Sequence, residues 1–225
     1  MDYSQIILLI ALYAIPAIFA ITLHEAAHGY AARHFGDPTA AQAGRITLNP
    51  IRHIDPVGTL LVPALMLLAS GGKLAFGWAK PVPVNFGRLR HPKRDMLWVA
   101  AAGPGANLLM AVAWAMVIKI AQGLPASYFT DPLMLMATGG IIINAVLMVL
   151  NLLPLPPLDG GRIAVSLLPH RLAYRFARIE PYGMFILMAL VLLPIVIPAA
   201  PSILGEILLP FVRAFVRLLT SIFNI

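Results

Sequence analysis

Long apolar segments separated by short polar ones are the feature that most limits how this chain can fold. Of its 225 residues, 60% are hydrophobic and 11% are charged, whereas soluble domains carry about 45–50% apolar and about 25% charged residues. A membrane-spanning helix needs about 20 mostly apolar residues. The apolar segments are residues 6–33, 57–70, 96–121, 132–153, 182–197 and 203–219. The sequence therefore predicts an all-α polytopic membrane protein that forms a single domain over residues 1–225.

The basic residues of the chain, which give it a net charge of +7, lie mainly in three polar stretches. These stretches are residues 33–55, 72–94 and 154–181. Lysines and arginines in such places set the orientation of a protein in a membrane, so we expect a lipid bilayer and no nucleic acid as the partner. The chain has no cysteine, which excludes disulfides and zinc sites built on thiolates.

The segment 57–70 decides the predicted topology. The positive-inside rule requires the three basic stretches and the C-terminus to lie on the cytoplasmic side. That arrangement requires residues 57–70 to enter and leave the membrane from the same side. A helix of about 15 residues is also only about 22 Å long, against about 30 Å of hydrocarbon. We therefore predict five spans plus one re-entrant segment, with the N-terminus outside; six full spans are the alternative.

An H-E-x-x-H motif, formed by His24, Glu25 and His28, interrupts the first apolar segment. Residues four apart share one face of a helix, so two imidazoles can hold one zinc ion while the glutamate takes a proton from water. Ionisable residues at membrane depth are costly and are usually functional. The alternative is a helix end that reaches the cytoplasmic interface, where these residues cost little.

A catalytic zinc ion needs a third protein ligand, and Asp159 is one candidate for it. It lies in a stretch with Pro154, Pro156 and Pro157 before it and two glycines after it. Prolines break a helix and glycines allow a sharp turn, so the carboxylate could point back into a helical bundle. A surface turn that merely ends a helix explains the same pattern, and the residues alone leave the third ligand open.

The order of these motifs resembles that of the site-2 proteases, the intramembrane zinc metalloproteases. The matching parts are the H-E-x-x-H, Gly-Pro-Gly-Ala-Asn at 103–107, and N-x-x-P-x-x-x-L-D-G at 151–160. The stretch Gly-Trp-Ala-Lys-Pro-Val-Pro-Val-Asn at 77–85 is similar to that of the compact bacterial members. Together these parts cover roughly residues 20–165.

The resemblance implies a role for each residue of the site. His24, His28 and Asp159 would ligate zinc, one ion per chain, and Glu25 would be the general base and proton shuttle. Asn151 would steady the substrate or the oxyanion; hydrogen bonding between helices is its alternative role.

The resemblance also implies features outside the site. Asn107 is expected to support structure rather than catalysis. A membrane-associated β-hairpin would follow the first motif at residues 43–48. The catalytic core would cover about residues 4–166, with accessory C-terminal helices at about 180–222. We expect the compact bacterial or archaeal type, without a PDZ or a CBS domain.

The function implied by the resemblance is hydrolysis of peptide bonds within or near transmembrane segments of protein or peptide substrates. The enzyme would be an integral, multi-pass zinc metalloendopeptidase of a prokaryotic cell membrane, with its active site toward the cytoplasmic side. A non-proteolytic membrane metal-binding protein or transporter is the alternative, although transporters often show internal repeats and none is evident here. The sequence indicates neither the substrate, nor a need for prior cleavage, nor the oligomeric state.

Overall fold

The computed structural model describes residues 3–69, 77–125, 127–197 and 200–225. The helices in this part of the chain are α1 (Tyr3–His34), α2 (Thr39–Gln42), α3 (Val62–Ala69), α4 (Pro92–Gln122), α5 (Thr130–Asn151), α6 (Asp159–Leu167), α7 (His170–Ala177), α8 (Glu180–Val196) and α9 (Ile203–Phe223). Shorter helical turns occupy Pro50–His53, Pro56–Leu61 and Phe86–Arg88. None of the described residues forms a strand, which agrees with the predicted all-α class.

Helices α1, α4 and α5 pack against one another and form the centre of the molecule. Two glycines of α5 leave room at these contacts for aromatic rings of the neighbouring helices. The ring of Tyr13 lies over Gly139 and that of Trp114 over Gly140, so a Cβ atom at either glycine would come within 2.6 Å of ring carbons. Helix α6 packs on α4, and α9 packs on α5 and α4.

Length and composition single out fewer spans than the sequence predicts. Among the described residues, α4 and α5 are long and apolar enough to cross a membrane, and α7 with Glu180–Pro194, bent by 56°, would make a third span. Helix α9 has 21 residues, but Glu206, Arg213 and Arg217 lie along it. The predicted count of five spans is therefore not confirmed. Residues 198 and 199, which lie between the last two apolar segments, are outside the described part.

The apolar helix that begins at Pro56 is short, and the chain returns to its start. It continues through the turn Pro56–Leu61 into α3. The N–H of Trp78 donates to the carbonyl of Gly58 at 3.0 Å. Residue 78 therefore lies beside the beginning of this helix rather than beyond its end. Residues 70–76, which include the predicted end of the re-entrant segment and Lys73 of the basic loop, lie outside the described residues.

The β-hairpin expected at residues 43–48 is not confirmed. These residues form turns and bends, and Arg45 donates from Nη2 to the carbonyls of Lys80 at 2.7 Å and Pro81 at 3.4 Å. The stretch of residues 77–85, hereafter the 77–85 segment, has no regular secondary structure and contains two prolines. Because proline has no N–H, the 77–85 segment lacks some of the donors that a β-ladder with residues 43–48 would need. The side chain of Arg45 connects the two stretches instead.

Candidate metal centre

Three side chains from two distant parts of the chain meet at one point. His24 and His28 lie one turn apart on α1, and Asp159 is the first residue of α6. The Nε2 atoms of the two histidines are 3.1 Å apart. The Oδ2 atom of Asp159 lies 3.2 Å from Nε2 of His24 and 3.3 Å from Nε2 of His28. Among the described residues, these three form the group of side chains that could hold a metal ion.

The dimensions of this triangle fit a small cation. Ligand atoms about 2.0–2.1 Å from a tetrahedral zinc ion lie about 3.3 Å from one another. The Oδ2 atom of Asp159 is buried and has no hydrogen-bond partner in the described structure. A buried carboxylate oxygen without a donor is costly, and a metal ion would remove that cost. The residues present therefore fit zinc, with imidazole and carboxylate ligands and an open fourth position.

Both histidine rings are held through their other nitrogen. Nδ1 of His24 lies 2.6 Å from Oδ1 of Asn107, and Nδ1 of His28 lies 2.7 Å from the carbonyl oxygen of Val99. Each partner atom is an acceptor, so each Nδ1 carries the hydrogen and each Nε2 presents a lone pair. Metal-binding histidines usually have such an outer partner, which fixes the ring and its tautomer.

Gly103 allows α4 to lie directly against the two imidazoles. A Cβ atom at this position would be 2.6 Å from Cε1 of His24 and of His28, and it would also overlap Nε2 of His28. Every side chain other than hydrogen would therefore displace the rings. The first glycine of the Gly-Pro-Gly-Ala-Asn stretch, Gly103, therefore leaves room for the two imidazole rings.

The turn before α6 aims Asp159 at the histidines. Helix α5 ends at Asn151, and α6 begins at Asp159. A Cβ atom at Gly160 would overlap the carbonyls of Leu152 and Leu153. One at Gly161 would lie 2.7 Å from a carbon of the preceding backbone. The two glycines thus allow the chain to fold tightly on itself, and α6 then packs on α4, the helix that also contacts the histidines.

Glu25 lies in the same cavity as the three converging side chains. The cavity has a volume of about 390 Å³ and is lined mainly by apolar residues. The Oε2 atom of Glu25 accepts a hydrogen bond of 2.8 Å from the backbone N–H of Val82. The 77–85 segment therefore passes directly beside the glutamate, and its backbone contacts the group expected to move protons.

Asn151 also lines the cavity, together with Leu147, Pro157 and Leu158. Its Nδ2 donates to the carbonyl of Leu147, one turn earlier in α5, at 3.0 Å. That bond uses one of the two N–H groups of the amide. The side chain is thus close to the metal-binding group, and its second N–H can serve a bound molecule.

Asp37 ties the end of α1 to the 77–85 segment. This fully buried carboxylate accepts hydrogen bonds from the N–H and hydroxyl of Thr39 and, at 2.7 Å, from the N–H of Asn85. Burial by itself raises the pKa of Asp37, but the hydrogen bonds from Thr39 and Asn85 outweigh it and lower the pKa below its ordinary value. The carboxylate is therefore charged at neutral pH and holds the segment in register beside Glu25.

Two residues of the site carried no strong signal in the sequence. Asn144 contacts Asn107 from α5, and its only signal was that it is a polar residue inside an apolar span. The contact of Val82 is made by its backbone, which a side-chain motif does not reveal. The four other histidines lie outside the metal-binding group, and one of them, His53, is buried.

Comparisons with known proteins agree on one family. The sequence model described as peptidase family M50 matches residues 117–194. A protein of Bacillus subtilis named as a candidate zinc metalloprotease, YwhC, is 40% identical over 184 residues, which are 80% of this chain and 80% of the relative. A Mycolicibacterium smegmatis protein with the same kind of name, Rip2, is 31% identical over 79% of this chain and 65% of its own length. No solved structure matches the chain. The extent of these matches establishes that the chain belongs to peptidase family M50, the site-2 protease family.

Proposed function

We propose that this chain is an intramembrane zinc metalloprotease that hydrolyses peptide bonds within or near the transmembrane segments of other proteins. The observation that carries the proposal is the convergence of His24, His28 and Asp159, with ligand atoms 3.1–3.3 Å apart, beside a glutamate in an apolar cavity. The names of the relatives, which describe candidate zinc metalloproteases, support the same reaction.

His24, His28 and Asp159 would hold the zinc ion, one per chain, through Nε2, Nε2 and Oδ2. When bound, zinc supplies Lewis-acid activation of water and of the scissile carbonyl. The two histidines are oriented for this by Asn107 and by the carbonyl of Val99.

Glu25 would be the general base and proton shuttle. It takes a proton from the attacking water as the new C–O bond forms, and then delivers that proton to the nitrogen of the leaving amine as the peptide C–N bond breaks. Its Oε2 atom accepts a hydrogen bond from the backbone N–H of Val82. The 77–85 segment thus helps to hold the carboxylate in place in the cavity.

Asn151 would steady the substrate or the oxyanion of the tetrahedral intermediate. Its side chain lines the cavity, and one N–H is held by Leu147. This bond restricts the amide, and a restricted donor needs little reorganisation when charge develops on the substrate oxygen.

The substrate would be a transmembrane segment that unwinds locally at the cavity. The lining is mainly apolar and includes Ile21, Leu147, Leu150 and Leu187, which suits the side chains of a membrane-spanning sequence. A helical peptide bond is shielded by its own hydrogen bonds, so an extended stretch must form before water can reach the carbonyl.

Five spans and one re-entrant segment remain our proposal for the topology. The return of the chain from α3 to Gly58 by residue 78 supports a segment that enters and leaves on the same side. The basic residues beyond it would then lie in the cytoplasm, as would the entrance to the active site.

A cleavage assay on purified protein tests the proposed function. Wild type and Glu25→Gln are incubated in detergent with a panel of single-span peptides, with zinc measured in each. Glu206→Gln, which changes an exposed glutamate on α9, is the matched control. We expect cleavage by wild type and by the control, and a rate at least about a hundredfold lower for Glu25→Gln with zinc retained.

The same assay separates the alternatives. Asn151→Ala should keep its zinc and cleave more slowly, because a donor to the oxyanion is lost. Cleavage by Glu25→Gln at the wild-type rate would refute the mechanism. Zinc in all variants with no cleavage by wild type would favour the alternative of a non-proteolytic membrane metal-binding protein.

A further inference from the structure

A chain of side-chain hydrogen bonds leads from His24 on α1 through α4 to α5. Nδ1 of His24 on α1 meets Oδ1 of Asn107 on α4 at 2.6 Å. Nδ2 of Asn107 donates to Oδ1 of Asn144 on α5 at 3.0 Å, and Nδ2 of Asn144 donates to the carbonyl of Gly140 at 2.8 Å. Both asparagines are 0% exposed, so water offers them no alternative partners.

The carbonyl of Gly140 fixes the direction of every bond in this chain. A carbonyl oxygen can only accept, so Asn144 must turn its Nδ2 toward it and its Oδ1 toward Asn107. Asn107 must then donate from Nδ2 to Oδ1 of Asn144, which leaves its own Oδ1 facing His24. His24 therefore carries its hydrogen on Nδ1, and the lone pair of Nε2 points at the metal position.

The second histidine provides an internal comparison. Nδ1 of His28 is held by the carbonyl of Val99, a main-chain acceptor that no substitution of a side chain removes. The orientation of His28 is thus set by the backbone of α4, whereas that of His24 depends on two side chains that can be changed.

We propose that Asn144 is a positioning residue for the metal centre and acts through Asn107 on the tautomer of His24. This inference rests on the zinc site proposed above. Asn144 is neither among the metal-binding residues nor in the lining of the cavity. Outer partners of metal-binding histidines typically contribute about ten- to a hundredfold in metal affinity.

Removal of Asn144 lets the amide of Asn107 rotate. In Asn144→Leu, the acceptor of Nδ2 is lost, and a contact of 3.4 Å to the carbonyl of Ala20 remains to hold it. A rotated amide would present N–H groups to His24 and favour the hydrogen on Nε2, where it competes with the metal. We expect zinc binding about tenfold weaker in Asn144→Leu and about a hundredfold weaker in Asn107→Leu, which removes the outer partner altogether.

Asn107→Asp should rescue the loss at residue 144. A carboxylate has two acceptor oxygens in every rotamer, so it receives the hydrogen of Nδ1 without help from Asn144. The double variant Asn107→Asp/Asn144→Leu should therefore bind zinc about tenfold more tightly than Asn144→Leu alone. A role in packing alone predicts that Asn107→Asp changes zinc affinity by the same factor with asparagine or with leucine at residue 144, because aspartate and asparagine are alike in size.

Zinc affinity of the full chain in detergent, measured by competition with a chelator, tests the proposal independently of proteolysis. Thr138→Val is the matched control, because Thr138 makes the same kind of bond along α5, to the carbonyl of Met134 at 2.8 Å. We expect wild-type affinity in Thr138→Val, weaker binding in Asn144→Leu, and recovery in the double variant.

Two results would overturn the inference and leave the proposed zinc site standing. They are an unchanged affinity in Asn144→Leu, and a double variant that binds no better than Asn144→Leu. A wild-type chain that binds no zinc would instead remove the metal site itself, and the inference with it. The failure of the inference is therefore distinct from the failure of the proposed function.

Discussion

Because Gly103 has no Cβ atom, helix α4 can pack directly against the two histidines of the site. Helix α4 presents no side chain to the two histidines at this residue, and the imidazoles occupy the space that a Cβ atom would need. The same helix holds His28 through Val99 and His24 through Asn107. Close approach and correct orientation of the rings therefore come from one short stretch of α4.

Gly103→Ala is expected to weaken zinc binding by about ten- to a hundredfold. The added methyl group overlaps Nε2 of His28, one of the proposed ligand atoms, and touches the ring of His24. Either the rings or the helix must move, and the triangle of ligand atoms opens. Zinc affinity of the purified variant, measured by chelator competition, checks this expectation.

Gly105→Ala is the control for this substitution. A Cβ atom at residue 105 has nothing within 4 Å, and alanine favours a helix over glycine by about 0.5–1 kcal/mol. The control should bind zinc as wild type does and should unfold at the same or a slightly higher temperature. Equal zinc affinity in both alanine variants would contradict the tight packing of α4 on the histidines.

The sequence predicted some residues of the site and not others, for a physical reason. His24, Glu25 and His28 could be grouped because helix geometry alone puts them on one turn. Asp159 lies far along the chain, so local pattern left it open and the resemblance to a family supplied it. The contact of Asn144 depends on how α5 packs against α4, which no local pattern contains.

At the scale of elements, the 77–85 segment connects parts of the fold that are distant in sequence. Its residues bond to Arg45, to the turn at Gly58, to Asp37 and to Glu25. A stretch without regular secondary structure must satisfy its polar groups one by one, and these partners do so together with the carbonyl of His53 and the hydroxyl of Thr59. The position of the segment beside Glu25 therefore depends on all of them.

Asp37→Asn should lower the unfolding temperature by a few degrees at pH 7. An asparagine can still accept from Thr39 with its oxygen, but its Nδ2 then faces the N–H of Asn85, donor against donor. Buried hydrogen bonds to a charged group contribute about 1.5–3 kcal/mol. Thermal unfolding of both proteins in detergent measures the difference, with Asp131→Asn, on the exposed start of α5, as the control.

The pH dependence of this difference has a defined sign. The folded-state pKa of Asp37 lies below its ordinary value, so the stabilisation by the carboxylate is complete above an unfolded-state pKa of about 3.9. It is lost as the pH falls through the lower folded-state pKa. The gap in unfolding temperature should therefore shrink toward pH 3; a gap that widens on acidification would contradict the account.

The helices were easier to predict from the sequence than the segments that connect them. The apolar runs at residues 96–121 and 132–153 correspond to α4 (Pro92–Gln122) and α5 (Thr130–Asn151), since long runs of this kind have few other solutions. The hairpin expected at residues 43–48 is not confirmed. The neighbouring 77–85 segment contains prolines, which lack the N–H donors that a β-ladder needs. Connections of this kind are decided by tertiary contacts.

For the whole molecule, the side of the membrane on which each loop lies is the main open prediction. The topology with five spans puts the loop before α4 and the loop before α7 on the same, cytoplasmic side, and the connection between α4 and α5 on the other. A topology with six spans would put the loop before α4 outside. Because one added span reverses the side of every loop that follows it, the connection between α4 and α5 would then be cytoplasmic and the loop before α7 would be outside.

Labelling of single cysteines distinguishes these topologies, and the natural chain has no cysteine to interfere. Arg88→Cys, Leu124→Cys and Arg171→Cys each change an exposed residue. A reagent that cannot cross the membrane should label residue 124 from outside intact cells, and residues 88 and 171 only after the cells are opened. Labelling of residue 88 from outside would establish six spans and refute the re-entrant segment.

The most direct test of the central claim is the zinc content per chain of purified Asp159→Ala against wild type. Asp159 is the proposed ligand that joins α6 to the H-E-x-x-H of α1, and Asp131→Ala is the control on an exposed carboxylate. The account predicts about one zinc per chain in wild type and in the control, and little or none in Asp159→Ala after dialysis against a weak chelator. Equal zinc in Asp159→Ala and wild type would contradict the site built from His24, His28 and Asp159.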